Sequence, residues 1–93
     1  MSRFYLICFD VADDRRLRRV ADELENFGRR VQRSVFECWL EDDDLFELKR
    51  RMAAHIEPGE DRIRYYRLCG KDVEDIRIDG PGEVTPSPGP RIL

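Results

Sequence analysis

The sequence predicts a single α+β domain in the order β-α-β-β-α-β, with one further strand behind it. Three observations carry that expectation. Short β-rich apolar runs alternate with two stretches whose apolar residues recur at helical spacing. Turn residues, Gly28 and Pro58-Gly59 among them, fall between those stretches. A length of 93 residues leaves room for one small domain and no second.

Each element has its own justification. Residues 3–10, RFYLICFD, are almost continuously apolar and are expected as a central strand covered on both faces. Residues 13–28 are expected as a helix, with Asp13 as N-cap and Leu17, Val20, Ala21, Leu24 and Phe27 along one face. Gly28 stands where a left-handed C-terminal residue would sit. Residues 30–40, RVQRSVFECWL, are β-rich, but their parity fails: Val31 and Val35 share one face, Phe36, Cys38 and Leu40 the other. A break or bulge near Ser34 reconciles them. Residues 42–56 form a second helix, acidic at its start and basic later, with the stripe Leu45, Leu48, Met52 and Ile56. Residues 61–69, DRIRYYRLC, are the next strand, and 73–78, VEDIRI, the last. From Gly80 the chain reads GPGEVTPSPGPRIL, which holds four of the five prolines and is expected to be disordered. The domain is thus 1–79 and the tail 80–93. This order is the ferredoxin-like arrangement, an antiparallel sheet with both helices on one face. Many unrelated functions use it, so the fold alone decides none.

A chain this short buries only about 60–65% of its unfolded surface, so oligomerisation would help it. The apolar fraction is 41%, the charged fraction 40% and the net charge −3. Bulk charge therefore announces no polyanion binder, but the charges are uneven. Acids gather at 41–44 and 57–61, bases at 15–19, 29–33 and 49–51, and such patches matter even when the sum is near zero. No signal peptide and no membrane-crossing run is read, which points to a cytoplasmic protein. Cys8, Cys38 and Cys69 share no CxxC spacing and His55 is the only histidine, which argues against a zinc site in one chain. The cysteines are expected as small core residues.

The stretch LICFDVADDRRLRR, 6–19, places an acid at the end of the apolar strand and arginines at the start of a helix. Cations there oppose the helix dipole, so folding gains little from Arg15, Arg16, Arg18 and Arg19. One reading is a solvated face, neutralised by Asp13 and Asp14, with Arg18–Asp22 and Arg19–Glu23 pairs. The other is a phosphate-binding helix end. Asp10 likewise has two readings. It is a loop acid bonded to nearby N–H groups or an arginine, or it is a hard-metal ligand, partly desolvated unless paired. In a two-fold dimer it would meet its own copy, supplying two carboxylates from one position. Ser34 has no histidine beside it, which disfavours a triad. Phe36, Trp39, Tyr65 and Tyr66 read as core or interface aromatics, with base stacking as the alternative. The EDDD run reads as dipole compensation, with cation binding as the alternative.

The segment FDVADDRRLRRVADELENFGRRVQRSVFEC, 9–38, resembles the signature of the CRISPR-associated protein 2 family, and GEDRIRYYRL (59–68) and IRIDGPG (76–82) extend the likeness over residues 3–82. The resemblance implies a homodimer in which the last strand, 73–78, is exchanged into the partner's sheet. It implies Mg²⁺-dependent endonuclease activity on single-stranded RNA or double-stranded DNA in spacer acquisition; Mn²⁺ is expected to be able to replace Mg²⁺ because both accept oxygen ligands. It also implies a place as a subunit of the CRISPR integrase, where a non-catalytic DNA-binding bridge is the alternative role. Asp10 matches the family's metal-binding aspartate. Arg16 and Arg19 match its basic helix start, Arg30 the arginine before Val-Gln, and Ser34 and Phe36 its Ser-Val-Phe. Arg15, Arg16, Arg19, Arg30 and Arg33 are the expected nucleic-acid contacts. Where many members carry Tyr before the aspartate, this chain has Phe9.

Overall fold

The computed structural model describes residues 2–74, Ile76 and 84–86. Its elements are β1 (Arg3–Asp10), α1 (Asp14–Leu24), β2 (Gly28–Gln32), β3 (Val35–Leu40), α2 (Asp42–His55), β4 (Arg62–Leu68) and a short α3 (Gly70–Glu74). The four strands form one antiparallel sheet in the order β2-β3-β1-β4. This is the ferredoxin-like order expected from the pattern of elements.

Alternation in β1 sets the layers. Tyr5, Ile7 and Phe9 are buried and join Phe36, Cys38 and Leu40 of β3, Val20, Ala21 and Leu24 of α1, and Leu48 and Met52 of α2 in one core. At about 1.5–3 kcal/mol for each large side chain buried, this cluster is the main favourable term in folding. Helices α1 and α2 pack on this face only, so the opposite face of β1 is covered only in part, which corrects the expectation of a strand buried on both sides. There Leu6 and Cys8 are half-buried and Asp10 is exposed. Phe4, on that face, is buried edge-to-face against Trp39, ring centroids 5.2 Å apart. Asp13 caps α1 by accepting from the Arg16 amide at 2.9 Å. A Glu41–Asp44 capping box opens α2. Across the two helices Glu23 accepts from Arg51 at 2.8 Å and lies 3.0 Å from His55 Nε2. These bonds, His55's first, hold the Glu23 carboxyl below its usual range.

Parity fails in the second β-rich segment for the reason anticipated. Arg33-Ser34 turn the chain, and the register slips between Arg30↔Phe36 and Gln32↔Val35, leaving Val31 as the extra residue of a bulge. Gly28 corrects one expectation. It opens β2 instead of capping α1 in the left-handed region, and a Cβ on it would collide with Cys38 Sγ and the Glu37 carbonyl. Among the described residues only Gly59 has positive φ, 91°, at the Pro58-Gly59 turn. Cys38 is buried and Cys8 half-buried, but Cys69 is exposed, so only part of the cysteine set lies inside. Burial pushes the Cys38 thiol up to about 12, which leaves it an inert core residue.

The chain after β4 departs from expectation. Val73 and Glu74, expected to open a strand, close α3, where the Val73 amide bonds the Cys69 carbonyl at 3.1 Å. Asp72 caps that turn by accepting from the Cys69 amide. A strand needs a neighbouring edge, whereas a helical turn satisfies its amides locally. Asp75, Arg77 and Ile78 of the expected strand lie outside the described residues. So does most of the tail expected to be disordered. Thr85, which is described, donates its amide to Glu37 at 3.0 Å and accepts from Trp39 Nε1 at 3.0 Å. No helix among the described residues is long and apolar enough to cross a membrane.

Candidate active site at the end of the first strand

Asp10 is the last residue of β1, opposite Arg62 of β4 in the register. The peptide on either side of it is fixed. On one side the Phe9 amide donates to the Ser34 carbonyl at 3.0 Å. On the other side Val11 is buried and the Ala12 amide donates to Asp61 Oδ1 at 3.1 Å. Between these anchors the Asp10 side chain is exposed and makes no side-chain hydrogen bond or close ion pair with any described residue, although its charge helps, after the Tyr66 hydroxyl, to raise the pKa of Arg64. The desolvation expected of it is therefore not found in the single chain. Asp10, Cys8, Phe9, Arg62, Arg64 and Tyr66 line a shallow depression at this end of β1 and β4. Arg64 donates to the Tyr66 hydroxyl at 3.3 Å, which holds the guanidinium beside that depression.

The arginines of the sequence reading separate into two sets. Arg16 is committed to protein: its Nε donates to Asp61 Oδ2 at 2.8 Å and its Nη2 to Oδ1 at 3.2 Å. Arg30 donates its Nε to the Arg33 carbonyl at 3.0 Å and lies 5.9 Å over the Phe36 ring. Arg15, Arg18 and Arg19 are exposed and make no ion pair with described residues, so the Arg18–Asp22 and Arg19–Glu23 pairs do not form. Arg33 makes only an exposed pair with Asp14 at 3.3 Å, of the kind that contributes about 0–1 kcal/mol. Ser34 bounds the site through its carbonyl and not its hydroxyl. Phe36 is wholly buried, its centroid 6.0 Å from that of Phe9, so it supports β1 from below and offers no stacking surface.

Asp61 is the residue that sequence reasoning missed. Its side chain has no solvent exposure, and it accepts from Arg16, from the Ala12 amide and from the Glu57 amide at 2.8 Å. The Arg16 guanidinium and those amides outweigh burial and hold its carboxyl down to about 2. Its only signal in sequence was an acid between a turn and a strand.

Among the described residues no three His, Cys, Asp or Glu side chains converge as a metal cage. Asp10 nevertheless suits a hard cation such as Mg²⁺, which commonly takes one or two carboxylates and keeps several waters, because its oxygens are charged, uncommitted and open to solvent. Asp61 does not suit one, since its lone pairs are spent on N–H donors.

Fold and site together define a small ferredoxin-like domain with an open carboxylate at the end of its first strand. The family model described as CRISPR associated protein Cas2 matches residues 1–76, and the chain belongs to that family. A Synechocystis relative named CRISPR-associated endoribonuclease Cas2 3 is 40% identical over 89 residues, covering 96% of this chain and 97% of its own. The crystal structure of the hypothetical protein TT1823 from Thermus thermophilus superposes with a TM-score of 0.81 at 34% identity, covering 91% of this chain and 99% of that one. A chain of a partial Cas6-RT-Cas1–Cas2 complex superposes with a TM-score of 0.63 at 30% identity, covering 84% and 90%.

Proposed function

We propose that the chain is a Mg²⁺-dependent phosphodiesterase of CRISPR spacer acquisition, cutting single-stranded RNA or double-stranded DNA as a cytoplasmic homodimer. The observation that carries this reading is Asp10: a carboxylate left uncommitted on a peptide anchored at Phe9 and Ala12. The endoribonuclease name of the Synechocystis relative supports it. A second copy meeting the first across a two-fold axis would bring a second Asp10 to the same place. Bound there, Mg²⁺ would supply positive charge to a phosphate oxygen and acidify a water. The chain's own residues do the rest. Asp10 holds the cation, and Arg15 and Arg19 gather the polyanion from α1 with guanidiniums that no described residue engages. Cleavage of RNA and duplex DNA by wild type and Asp10→Asn, side by side in Mg²⁺ and in EDTA, tests the reading. It fails if the variant cleaves as fast as wild type with contaminating nuclease excluded.

A second reading is a non-catalytic DNA-binding bridge within the integrase complex. The likeness to a chain of a Cas1–Cas2 complex favours it, and so do Arg15, Arg18 and Arg19 of α1, which make no ion pair with any described residue. Tight duplex binding with no cleavage by wild type on either substrate selects this reading.

A further inference from the structure

Asp61 ties its own loop to the distant β1–α1 segment. It accepts from Ala12 in the loop after β1, from Arg16 in the first turn of α1, and from Glu57 in the loop before β4. Ala12 lies two residues after Asp10, and Asp61 precedes Arg62, the register partner of Asp10. A carboxylate without solvent exposure, with both oxygens spent on three donors, fixes the separation of those segments. The Arg16 side chain is only 25% exposed and donates two nitrogens to this one acceptor. Its planar fork is therefore turned to Asp61, with Glu60 Oε2 a further 3.7 Å away.

We propose that Asp61 is a positioning residue for the Asp10 centre, and that Arg16 acts through Asp61 and not on the polyanion. The inference rests on the reading of Asp10 as the reactive carboxylate. It assigns one cationic residue of the helix start to internal architecture and leaves Arg15 and Arg19 as the phosphate contacts. In functional centres, groups that orient a reactive ligand commonly account for 10–100-fold in affinity or activity.

The experiment uses the full chain and the variants Asp61→Asn, Arg16→Gln and Arg16→Lys, each compared at temperatures where it is fully folded. Three quantities are read: hydrogen exchange at the Ala12 amide relative to the Ile7 amide, the salt dependence of duplex DNA binding, and kcat and KM in Mg²⁺. Asp61→Asn and Arg16→Gln are expected to speed Ala12 exchange selectively by about tenfold or more. They should lower kcat by roughly 10–100-fold with KM near wild type, and the double variant should be no worse than either single one. Arg16→Lys, which retains one donor to Asp61, should recover part of the loss. The salt slope of binding should not change. An Arg16→Gln protein whose salt slope falls by about one while Ala12 stays protected would overturn the proposal. Loss of protection at Ile7 in parallel with Ala12 would do the same, because it reports general instability. A wild type that cleaves neither substrate would overturn the reading of Asp10 instead, and the exchange and salt arms would still decide what Arg16 does.

Discussion

Asp10 and Asp61 stand one register position apart at the same corner of the sheet, yet they meet opposite fates. Asp10 ends β1 opposite Arg62, and Asp61 is the residue just before Arg62. Asp61 sits where two amides and a guanidinium converge, so its charge is satisfied without water. Asp10 sits exposed at the end of β1, on the face turned away from α1 and α2, where no described donor reaches it. The same side chain is architecture in one place and available chemistry in the other, and the difference is the supply of N–H groups. A carboxylate that the fold leaves uncommitted, flanked by one that it uses fully, can bind something without unfolding anything.

The sharpest way to break this comparison is to neutralise each acid in turn and measure stability. Removing one partner of a buried, hydrogen-bonded pair generally costs about 3–5 kcal/mol. The partial exposure of Arg16 puts Asp61→Ala near the lower end of that range. For a domain of this size that is a fall in Tm of more than about 10 °C. Asp10→Asn removes an exposed charge and should change stability by less than about 0.5 kcal/mol, while it alone abolishes cleavage. Thermal melts of both variants decide the matter. Equal losses of stability would show that the two aspartates are not different in kind.

Acid supplies the next test. The Asp61 carboxyl is held down to about 2 from an ordinary 3.8. A carboxyl whose folded pKa is depressed stabilises the fold fully above its unfolded pKa and loses that contribution as pH falls through the folded value. The Arg16–Asp61 contribution is therefore complete above about pH 4 and disappears between roughly pH 4 and pH 2. Denaturant midpoints measured over that window should fall more steeply for wild type than for Asp61→Asn, and the two curves should converge at the acid end. Parallel curves would place the wild-type acid sensitivity elsewhere, with Glu23 the next candidate because His55 and Arg51 also depress it.

Much of this was legible in sequence, and the reasons for the exceptions are physical. Both helical stripes declare themselves because their burial follows a period of 3.6, and β1 declares itself as a strand by its apolar β-rich run, although that unbroken run hid the alternation that leaves one face less covered. The bulge at Val31 announced itself as broken parity, and Asp10 as an acid ending an apolar run. Asp61 was not legible because two of its three partners are contributed by the tertiary fold: Arg16 lies 45 residues away and Ala12 49. Arg16 looked like the other arginines of its helix for the same reason. Gly28 was misplaced because a glycine needed for close approach and one needed for left-handed backbone look alike in a sequence. Val73 carries β-propensity, but propensity yields to whichever partner for the amide is at hand, and here that is the Cys69 carbonyl of the preceding turn.

The smallest expected effect distinguishes the two sets of arginines. Arg15 and Arg19 lie near the N-terminus of α1 without described ion-pair partners, so each opposes the helix dipole and mildly repels the other across one turn. Changing both to Ala should raise stability by a few tenths of a kcal/mol, read in denaturant midpoints. The same change should reduce the slope of log affinity against log salt for duplex DNA by about one for each phosphate no longer neutralised. Arg30 differs, because its guanidinium holds the Arg33 carbonyl and covers Phe36. Arg30→Ala should leave the salt slope unchanged and lower stability by about 1 kcal/mol, through a missing hydrogen bond and poorer packing. The two variants thus move stability in opposite directions, and only one moves binding. An Arg30 variant that flattens the salt slope as much as the Arg15/Arg19 change would show that a guanidinium engaged by its own chain still reaches phosphate. The division of the cations into architectural and available sets would then fail.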